Sequence, residues 1–219
     1  IVATQMLHSM ITSPRPTRAE VSDIAGAVYQ HTDALMLSGE TAYGRYPVEA
    51  ISVMNRVATE VERSLTHSLD NDALPAFEND VTTFLASNAV KSCSTLGTRA
   101  IITDSFTGRT ARYISSFRAH QPTLAMCYCE NVTRLLALSY GVFPVYQPHA
   151  ESARKYLRSA LRLLIDDGLL SADERIAYLG GGYGEGRGTT FLEINRVSEV
   201  LENFATYNLP NLEDVDQSP

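Results

Sequence analysis

The chain has 219 residues, of which 44% are hydrophobic and 20% are charged, and its formal net charge is -7. This composition is typical of a globular protein and excludes the disordered and fibrous classes. The acidic balance, without a cluster of Lys and Arg, argues against nucleic acid as a partner, and no apolar segment is long enough to predict a membrane span.

The first residues predict two strands joined by a helix. A short strand starts at Ile1–Ala3, and a second apolar run follows at Ala34–Leu37. Between them, Thr17 and Glu20 form a capping-box pattern that opens a helix ending near Gln30. Strand, crossover and strand in this order form a right-handed parallel unit, so both strands end at the same edge of the sheet.

Polar residues follow each of these strands. Thr4 and Gln5 come after the first strand, and Ser38 begins a polar run after the second. Because parallel barrels place their active sites at the carboxyl ends of their strands, Thr4 and Ser38 are predicted to converge on a site. Taken singly, each hydroxyl also fits an ordinary strand-end cap.

A further helix is predicted after Pro47, which suits a first helical turn. Ile51, Met54, Val61 and Leu65 recur at helical spacing and predict its buried face. Two strands and two helices bury too little apolar surface to be stable alone, so we expect upstream residues or another chain to cover this unit.

The periodic pattern stops between Asp70 and Asn79, which predicts a linker, and then restarts. The later helices are predicted at Val81–Cys93, Gly108–Phe117, Asn131–Ser139 and Glu151–Ile165, and the strands at Ala100–Thr103, Thr123–Tyr128, Val142–Tyr146, Ile176–Leu179 and Thr190–Ile194. This alternation predicts an α/β domain over 80–205, with a mostly parallel five-stranded sheet in a three-layer α/β/α arrangement. Residues 206–219 are predicted to form a frayed acidic tail.

The three cysteines form no CxxC pair. Cys93 stands alone, and the spacing of Cys127 and Cys129 places both on one face of a predicted strand. We therefore expect reduced thiols in a cytoplasmic protein.

The turn after the strand Ala100–Thr103 has the chemistry of an anion site. It combines hydroxyls, a glycine and a guanidinium at the start of a helix, in Ser105, Thr107, Gly108, Arg109 and Thr110. Free N–H groups and the positive end of the helix dipole favour a phosphate there. The alternative is an ordinary capped turn that binds nothing.

A glycine-rich segment at 180–188 contains six glycines in nine residues. A dinucleotide-binding loop would have to open a helix, whereas this segment runs into strand-like Thr189–Leu192, so that interpretation is rejected. A ligand-binding loop and a flexible hairpin loop without a ligand both remain open.

Three runs identify a family. The sequences ATQM at 3–6, PRPTRAE at 14–20 and LSGET at 37–41, in this order, resemble the last two strands of the catalytic (β/α)8 barrel of pyruvate kinase. The segments 103–110, 131–134 and 140–145 resemble its carboxy-terminal domain. The resemblance implies a fragment of a (β/α)8 barrel at 1–69 followed by a regulatory α/β domain at 80–205.

The resemblance also implies an activity, the transfer of phosphate from phosphoenolpyruvate to ADP with Mg²⁺ and K⁺. Thr4 matches a threonine beside the phosphoenolpyruvate carbon, and Ser38 matches a serine of a proton relay. The family's phosphoryl-binding lysine and arginine and its metal-binding carboxylates have no match here. Since Ile1 is also no natural initiator, we expect a carboxy-terminal piece that is inactive alone and holds no metal.

Regulatory and assembly roles are implied as well. In the family the turn at 103–110 and a glycine-rich loop bind a phosphorylated effector. The residues that match are Thr103, Ser105, Thr107, Gly108, Arg109 and Thr110 in the turn, with Arg187 and Gly188 in the loop. Arg15 and Arg18 match a subunit contact of the family tetramer, and a dimer is open for the piece; both arginines also fit solvated surface charges. A free-standing phosphometabolite-binding module and a structural dimerisation domain remain as alternatives.

Overall fold

The computed structural model describes residues 1–3, 5–65, 80–147, 153–181 and 188–206. Within them the chain forms two compact units. The first unit holds the described residues up to Leu65 together with Leu138–Tyr140, and the second holds the others from Asp80 onward. The predicted linker at 70–79 lies outside the described residues, and so does the predicted tail at 206–219 except for Thr206.

The two predicted strands of the first unit pair in parallel through a single β-bridge between Val2 and Leu35. The N–H of Val2 donates to the carbonyl of Ala34 at 3.0 Å, and the N–H of Met36 donates to the carbonyl of Val2 at 2.9 Å. The chain segments that follow Val2 and Leu35 therefore leave the bridge on the same side.

Helices surround this bridge. They are the 3-10 helix His8–Ile11, α1 (Arg18–Tyr29), α2 (Gly39–Ala42) and α3 (Pro47–Ser64). The predicted capping box is present at the start of α1, because Thr17 accepts from the N–H of Glu20 and the Glu20 carboxylate accepts from the N–H of Thr17. Pro47 lies in the first turn of α3, as predicted.

The buried face of α3 differs from the predicted one. Ile51 is 56% exposed, whereas Ala50 is fully buried and Val53 is 9% exposed. The buried residues of this helix are Ala50, Val53 and Val61, and Ile51 lies outside the face that they share. The prediction that Ile51 is buried is therefore wrong, because helical spacing alone does not separate the face that includes Ile51 from the neighbouring face that packs.

The second unit is an α/β domain built on one sheet. Its helices are α4 (Val81–Leu96), α5 (Arg109–Ser116), α6 (Glu130–Leu136), α7 (Ala153–Asp166) and α8 (Val197–Thr206), and its strands are β1 (Ala100–Ser105), β2 (Thr123–Cys127), β3 (Val142–Tyr146), β4 (Arg175–Gly181) and β5 (Thr189–Arg196). The strand order is β3-β2-β1-β4-β5, with only the β4–β5 pair antiparallel. The predicted five-stranded, mostly parallel sheet is confirmed.

Helices cover both faces of the sheet. Ile102 packs in a cluster with Leu161 of α7 and Val200 of α8. Its neighbour Ile101 points to the other face and packs with Ala89 of α4 and Ile114 of α5. Alternate side chains of β1 thus enter opposite layers, as the period of a strand requires, and the three-layer arrangement is confirmed.

Two features of this domain depart from the sequence predictions. Helix α8 was not predicted, yet its Val197 is fully buried in the core. Strand β2 ends at Cys127, which is buried, while Cys129 is exposed and precedes α6. The prediction that both cysteines share one strand face is wrong, because the chain leaves the sheet between them. In the described residues, no helix is long and apolar enough to cross a membrane.

Candidate functional site

The first candidate site lies where the chain leaves the parallel bridge of the first unit. Ser38 is exposed and immediately precedes α2, and its carbonyl accepts from the N–H of Ala42 at 3.0 Å. Its own N–H donates to the carboxylate of Glu40 at 2.8 Å. The local hydrogen bonds therefore fix the backbone of Ser38 and leave its side chain at the surface.

Glu40 joins the two segments that follow the bridged residues. The residue is 2% exposed, and its carboxylate accepts the N–H of Leu7 at 3.1 Å in addition to that of Ser38. Burial by itself would raise the pKa of Glu40, but the backbone N–H donors, with Ser38 and Leu7 among them, outweigh burial and lower it. The side chain is therefore a carboxylate at neutral pH.

The segment before Leu7 contains Thr4, which lies outside the described residues. A second carboxylate holds the residues that follow, because Glu20 accepts from the N–H of Ser9 at 2.7 Å and from its hydroxyl at 2.6 Å. Arg15 and Arg18, the predicted interface residues, are both exposed at the start of α1.

The second candidate site is the turn between β1 and α5. The hydroxyl of Ser105 accepts from the N–H of Gly108 at 2.7 Å and closes the turn. Gly108 has a φ of 79°, and a Cβ atom there would lie 3.0 Å from a methyl group of Leu136. Only glycine therefore fits both the backbone and the packing of this position.

The first turn of α5 lies at the carboxyl edge of the sheet, because it comes directly after the end of β1. Thr107 and Arg109 are exposed, and the Arg109 guanidinium lies 5.4 Å from the ring centre of Tyr113. The N–H groups of Thr110 and Ala111 belong to the first turn of a helix and have no acceptor four residues earlier within it. These donors and one cation make the turn suited to an anion.

The beginning of β5 reaches this turn from the other side. The hydroxyls of Thr110 and Thr189 are 2.7 Å apart, and either can be the donor. Gly188, just before β5, is exposed, whereas Arg187 lies outside the described residues. The structure thus brings Thr107, Gly108, Arg109 and Thr110 together with the end of the glycine-rich segment.

Thr103 is placed differently. It is 1% exposed within β1, and its hydroxyl lies 3.2 Å from the carbonyl of Asp104. Thr103 is therefore part of the packed strand below the turn, whereas Thr107 and Arg109 lie at its surface.

Sequence reasoning missed the role of Asp104, a partly buried acid next to the turn. The carboxyl of Asp104 accepts from the hydroxyl of Tyr128 at 3.1 Å and from that of Tyr178 at 3.2 Å. Burial raises the pKa of Asp104, although both tyrosines oppose this effect. Tyr128 also stacks on Phe106 of the turn, with ring centres 4.1 Å apart.

Two further contacts of the turn were missed. Asp80, the N-cap of α4, lies 3.7 Å from the Arg109 guanidinium, and Thr189 bonds to Thr110. An aspartate three residues before a threonine at a helix start does signal an N-cap. No sequence signal joins Asp80 to a residue 29 positions later, or Thr110 to one 79 positions later.

Comparison with known proteins places both units in one family. The family "Pyruvate kinase, barrel domain" matches residues 1–51, and the family "Pyruvate kinase, alpha/beta domain" matches residues 84–194. A pyruvate kinase of Borreliella burgdorferi is 38% identical over 205 residues, which cover 92% of this chain and 43% of the relative. A pyruvate kinase of Bacillus licheniformis is 37% identical over 202 residues, which cover 92% of this chain and 34% of the relative. The chain thus spans less than half the length of these relatives.

Solved structures give the same result. The crystal structure of a pyruvate kinase from Cryptosporidium parvum matches with a TM-score of 0.80 at 33% identity, over 89% of this chain and 39% of that one. A structure of the Cryptosporidium parvum enzyme in complex with ADP matches with a TM-score of 0.75 at 34% identity, over 89% of this chain and 40% of that one. The family matches cover both units and the fold agrees with them, so the chain belongs to the pyruvate kinase family.

Proposed function

We propose that this chain is the part of a pyruvate kinase that closes the catalytic barrel and carries a regulatory anion site. The whole enzyme would transfer phosphate from phosphoenolpyruvate to ADP and protonate the resulting enolate to pyruvate. The observation that carries the regulatory role is the Ser105–Gly108 hydrogen bond. It holds the turn in the form that presents Thr107, Arg109 and the first turn of α5 to a ligand.

In the proposed catalytic role, Ser38 and Thr4 supply hydroxyls at the rim of the active site. A hydroxyl is a weak acid, so both residues would act by orienting water for protonation of the enolate rather than by donating a proton of matched pKa. Glu40 supports this role by holding the backbone of Ser38 through a 2.8 Å hydrogen bond.

Mg²⁺ and K⁺ belong to the proposed activity of the whole enzyme. In the parts of the chain that the structure describes, no three His, Cys, Asp or Glu side chains lie together as a metal-binding group. The described His, Cys, Asp and Glu side chains do not fit the ligand set of Mg²⁺, and we assign no step of the reaction to a metal ion held by them. We expect the 219-residue chain by itself to form no ATP from phosphoenolpyruvate and ADP; ATP formation by the purified chain would contradict this.

In the proposed regulatory role, a phosphate group of a small metabolite binds at the first turn of α5. Backbone N–H groups and the Thr107 hydroxyl would donate to its oxygens, and Arg109 would supply the opposite charge. Arg187 and Gly188 would approach from the glycine-rich segment. The hydrogen bond between Thr110 and Thr189 supports this arrangement, because Thr189 directly follows Gly188.

The remaining parts of the proposal concern location and assembly. We place the protein in the cytoplasm, where phosphoenolpyruvate and ADP meet. Arg15 and Arg18 are exposed and would contribute to a contact between subunits of a tetramer, or of a dimer if the chain assembles alone. A free-standing phosphometabolite-binding module would use the same turn, and a structural dimerisation domain would leave it without a ligand.

Calorimetry tests the regulatory role. The chain is titrated with a sugar phosphate and, separately, with an adenine nucleotide, and the titrations are repeated on an Arg109→Ala variant. A charge-assisted hydrogen bond contributes about 1.5–3 kcal/mol, so we expect the variant to lose at least about tenfold in affinity. If neither compound binds the unaltered chain, the regulatory proposal is wrong and the structural alternative is favoured.

A further inference from the structure

The guanidinium of Arg109 already has an anionic neighbour within the chain. One carboxylate oxygen of Asp80, Oδ1, lies 3.7 Å from Nη2 of Arg109. The Arg109 side chain is 59% exposed and that of Asp80 is 27% exposed, so the pair lies at the surface, where a dissolved anion can reach it. Arg109, which we propose binds a ligand phosphate, is therefore paired with the Asp80 carboxylate when no ligand is bound.

Asp80 differs from an ordinary surface acid because its other oxygen is fixed. Oδ2 accepts from the hydroxyl of Thr83 at 2.7 Å and from the N–H of Thr83 at 3.2 Å, which makes Asp80 the N-cap of α4. The hydrogen bond from the Thr83 side chain is the largest cause that lowers the pKa of Asp80, and Arg109 adds to it. Capping thus holds a charged carboxylate beside Arg109 without further loss of side-chain freedom.

The scaffold also keeps the two helix starts together. Ala86 and Ala89 of α4 and Ile114 of α5 belong to the same buried cluster against β1 and β4. The N-cap of α4 and the first residue of α5 are therefore set side by side by the core, and not by the ion pair alone.

We propose that Asp80 is an internal competitor for the Arg109 guanidinium, so that a ligand phosphate binds at the first turn of α5 by displacing the Asp80 carboxylate from it. This inference rests on the proposed anion site and adds its regulation. Asp80 keeps its cap on α4 during the exchange, because Oδ2 and not Oδ1 makes the hydrogen bonds to Thr83.

The competitor also determines which anions the site accepts. A ligand carboxylate carries the same single charge as Asp80 and is not preorganised, so it gains little from the exchange. A phosphate group carries about 1.5–2 negative charges near pH 7 and three acceptor oxygens. It therefore attracts Arg109 more strongly than the Asp80 carboxylate does and can accept more hydrogen bonds. The site is therefore expected to select phosphates over carboxylates.

The test titrates inorganic phosphate into the full 219-residue chain and follows the backbone amide resonances of Gly108, Arg109 and Thr110 by NMR. The variant is Asp80→Asn, which removes the charge but keeps a good N-cap. The matched control is Glu174→Gln. Glu174 also pairs with an arginine, Arg99 at 3.2 Å, and also accepts a backbone N–H, that of Ser171 at 2.8 Å.

The control pair lies far from the candidate site, because Arg99 and Glu174 precede β1 and β4 whereas the turn follows β1. Both substitutions change the net charge equally, so a general charge effect would appear in both. Exposed ion pairs are weak, and we expect Asp80→Asn to bind phosphate about threefold more tightly. Glu174→Gln should bind like the unaltered chain, and acetate should bind more weakly than phosphate to all three proteins.

The outcomes separate this inference from the proposed function. If Asp80→Asn binds phosphate no more tightly, or if Glu174→Gln gains as much, Asp80 is not a competitor; loss of binding in Arg109→Ala would then still support the anion site. If the unaltered chain binds no phosphate and Asp80→Asn binds none either, both the anion site and the competition are wrong. Thermal unfolding of each variant checks that the fold is retained.

Discussion

The carboxylate of Glu40 accepts a hydrogen bond from the backbone N–H of Leu7, 33 residues earlier in the chain, at 3.1 Å. The same carboxylate accepts from Ser38, so one buried acid joins the two segments that leave the parallel bridge. The segment before Leu7 carries the proposed catalytic Thr4, and Ser38 carries the other hydroxyl. The spacing of the two hydroxyls is therefore expected to depend on Glu40.

The substitution Glu40→Gln tests this contact. An amide keeps one acceptor oxygen but turns a donor group toward one of the two backbone N–H groups, which leaves a buried donor without an acceptor. We expect the free energy of unfolding to fall by about 1–3 kcal/mol in chemical denaturation of the chain. Glu60→Gln is the control, because Glu60 is 78% exposed and pairs with the exposed Arg63; an equal loss in that variant would contradict the prediction.

The pH dependence of stability gives a second readout of Glu40. Its pKa is lowered in the folded state, so its contribution is fully present above the unfolded pKa near 4.5 and is lost as the pH falls through the lower, folded pKa. Glu40→Gln should therefore lose less stability than the unaltered chain below about pH 4.5. Parallel pH profiles for the two proteins would show that Glu40 does not titrate in this way.

The structure favours glycine alone at position 108. Gly108→Ala combines a left-handed backbone with a methyl group placed 3.0 Å from Leu136. The matched control is Gly168→Ala, because Gly168 has a φ of 69° and open space around its Cβ position. The left-handed conformation costs about 1–2 kcal/mol in both variants. Thermal unfolding should show a larger loss for Gly108→Ala, and an equal loss would mean that Leu136 adjusts freely.

The contribution of Asp104 to folding stability should change with pH in the opposite direction to that of Glu40. Its pKa is raised by burial, so the folded state favours the neutral carboxyl, and stability falls as the pH rises from the unfolded pKa near 3.8 through the folded pKa. Asp104→Asn keeps the neutral form and a partner for Tyr128 and Tyr178. The stability of the variant relative to the unaltered chain should therefore increase with pH over this interval, as measured by denaturation at several pH values. A constant or shrinking difference would contradict the raised pKa.

Local patterns in the sequence were sufficient for most of the elements. The Thr17–Glu20 capping box appears as predicted, and strand β3 has the predicted bounds Val142–Tyr146. Both depend on residues within one turn or one strand, so short windows of sequence contain the necessary information.

The sequence predictions failed where a structure depends on distant residues. The contacts of Glu40 with Leu7 and of Asp80 with Arg109 join segments that only the complete fold brings together. The burial of Val197 in α8 likewise depends on the strands and helices that precede it. The residue types of the proposed anion turn could be read from the sequence. The contacts of Arg109 with the Asp80 carboxylate and of Thr110 with the Thr189 hydroxyl could not.

The hydroxyl pair of Thr110 and Thr189 tests whether β5 supports the turn between β1 and α5, the proposed anion site. The two oxygens are 2.7 Å apart, and Thr189 is 6% exposed, so replacing either residue by valine keeps the shape but leaves the other hydroxyl without this partner. A neutral hydrogen bond contributes about 0.5–1.5 kcal/mol, and each single variant should lose about this much free energy of unfolding. The double variant should lose less than the sum of the two single losses, because the second substitution removes a hydroxyl that the first has already left unpaired. Additive losses in this cycle would show that the two hydroxyls do not stabilise each other, and that the end of the glycine-rich segment is held near the turn by other contacts.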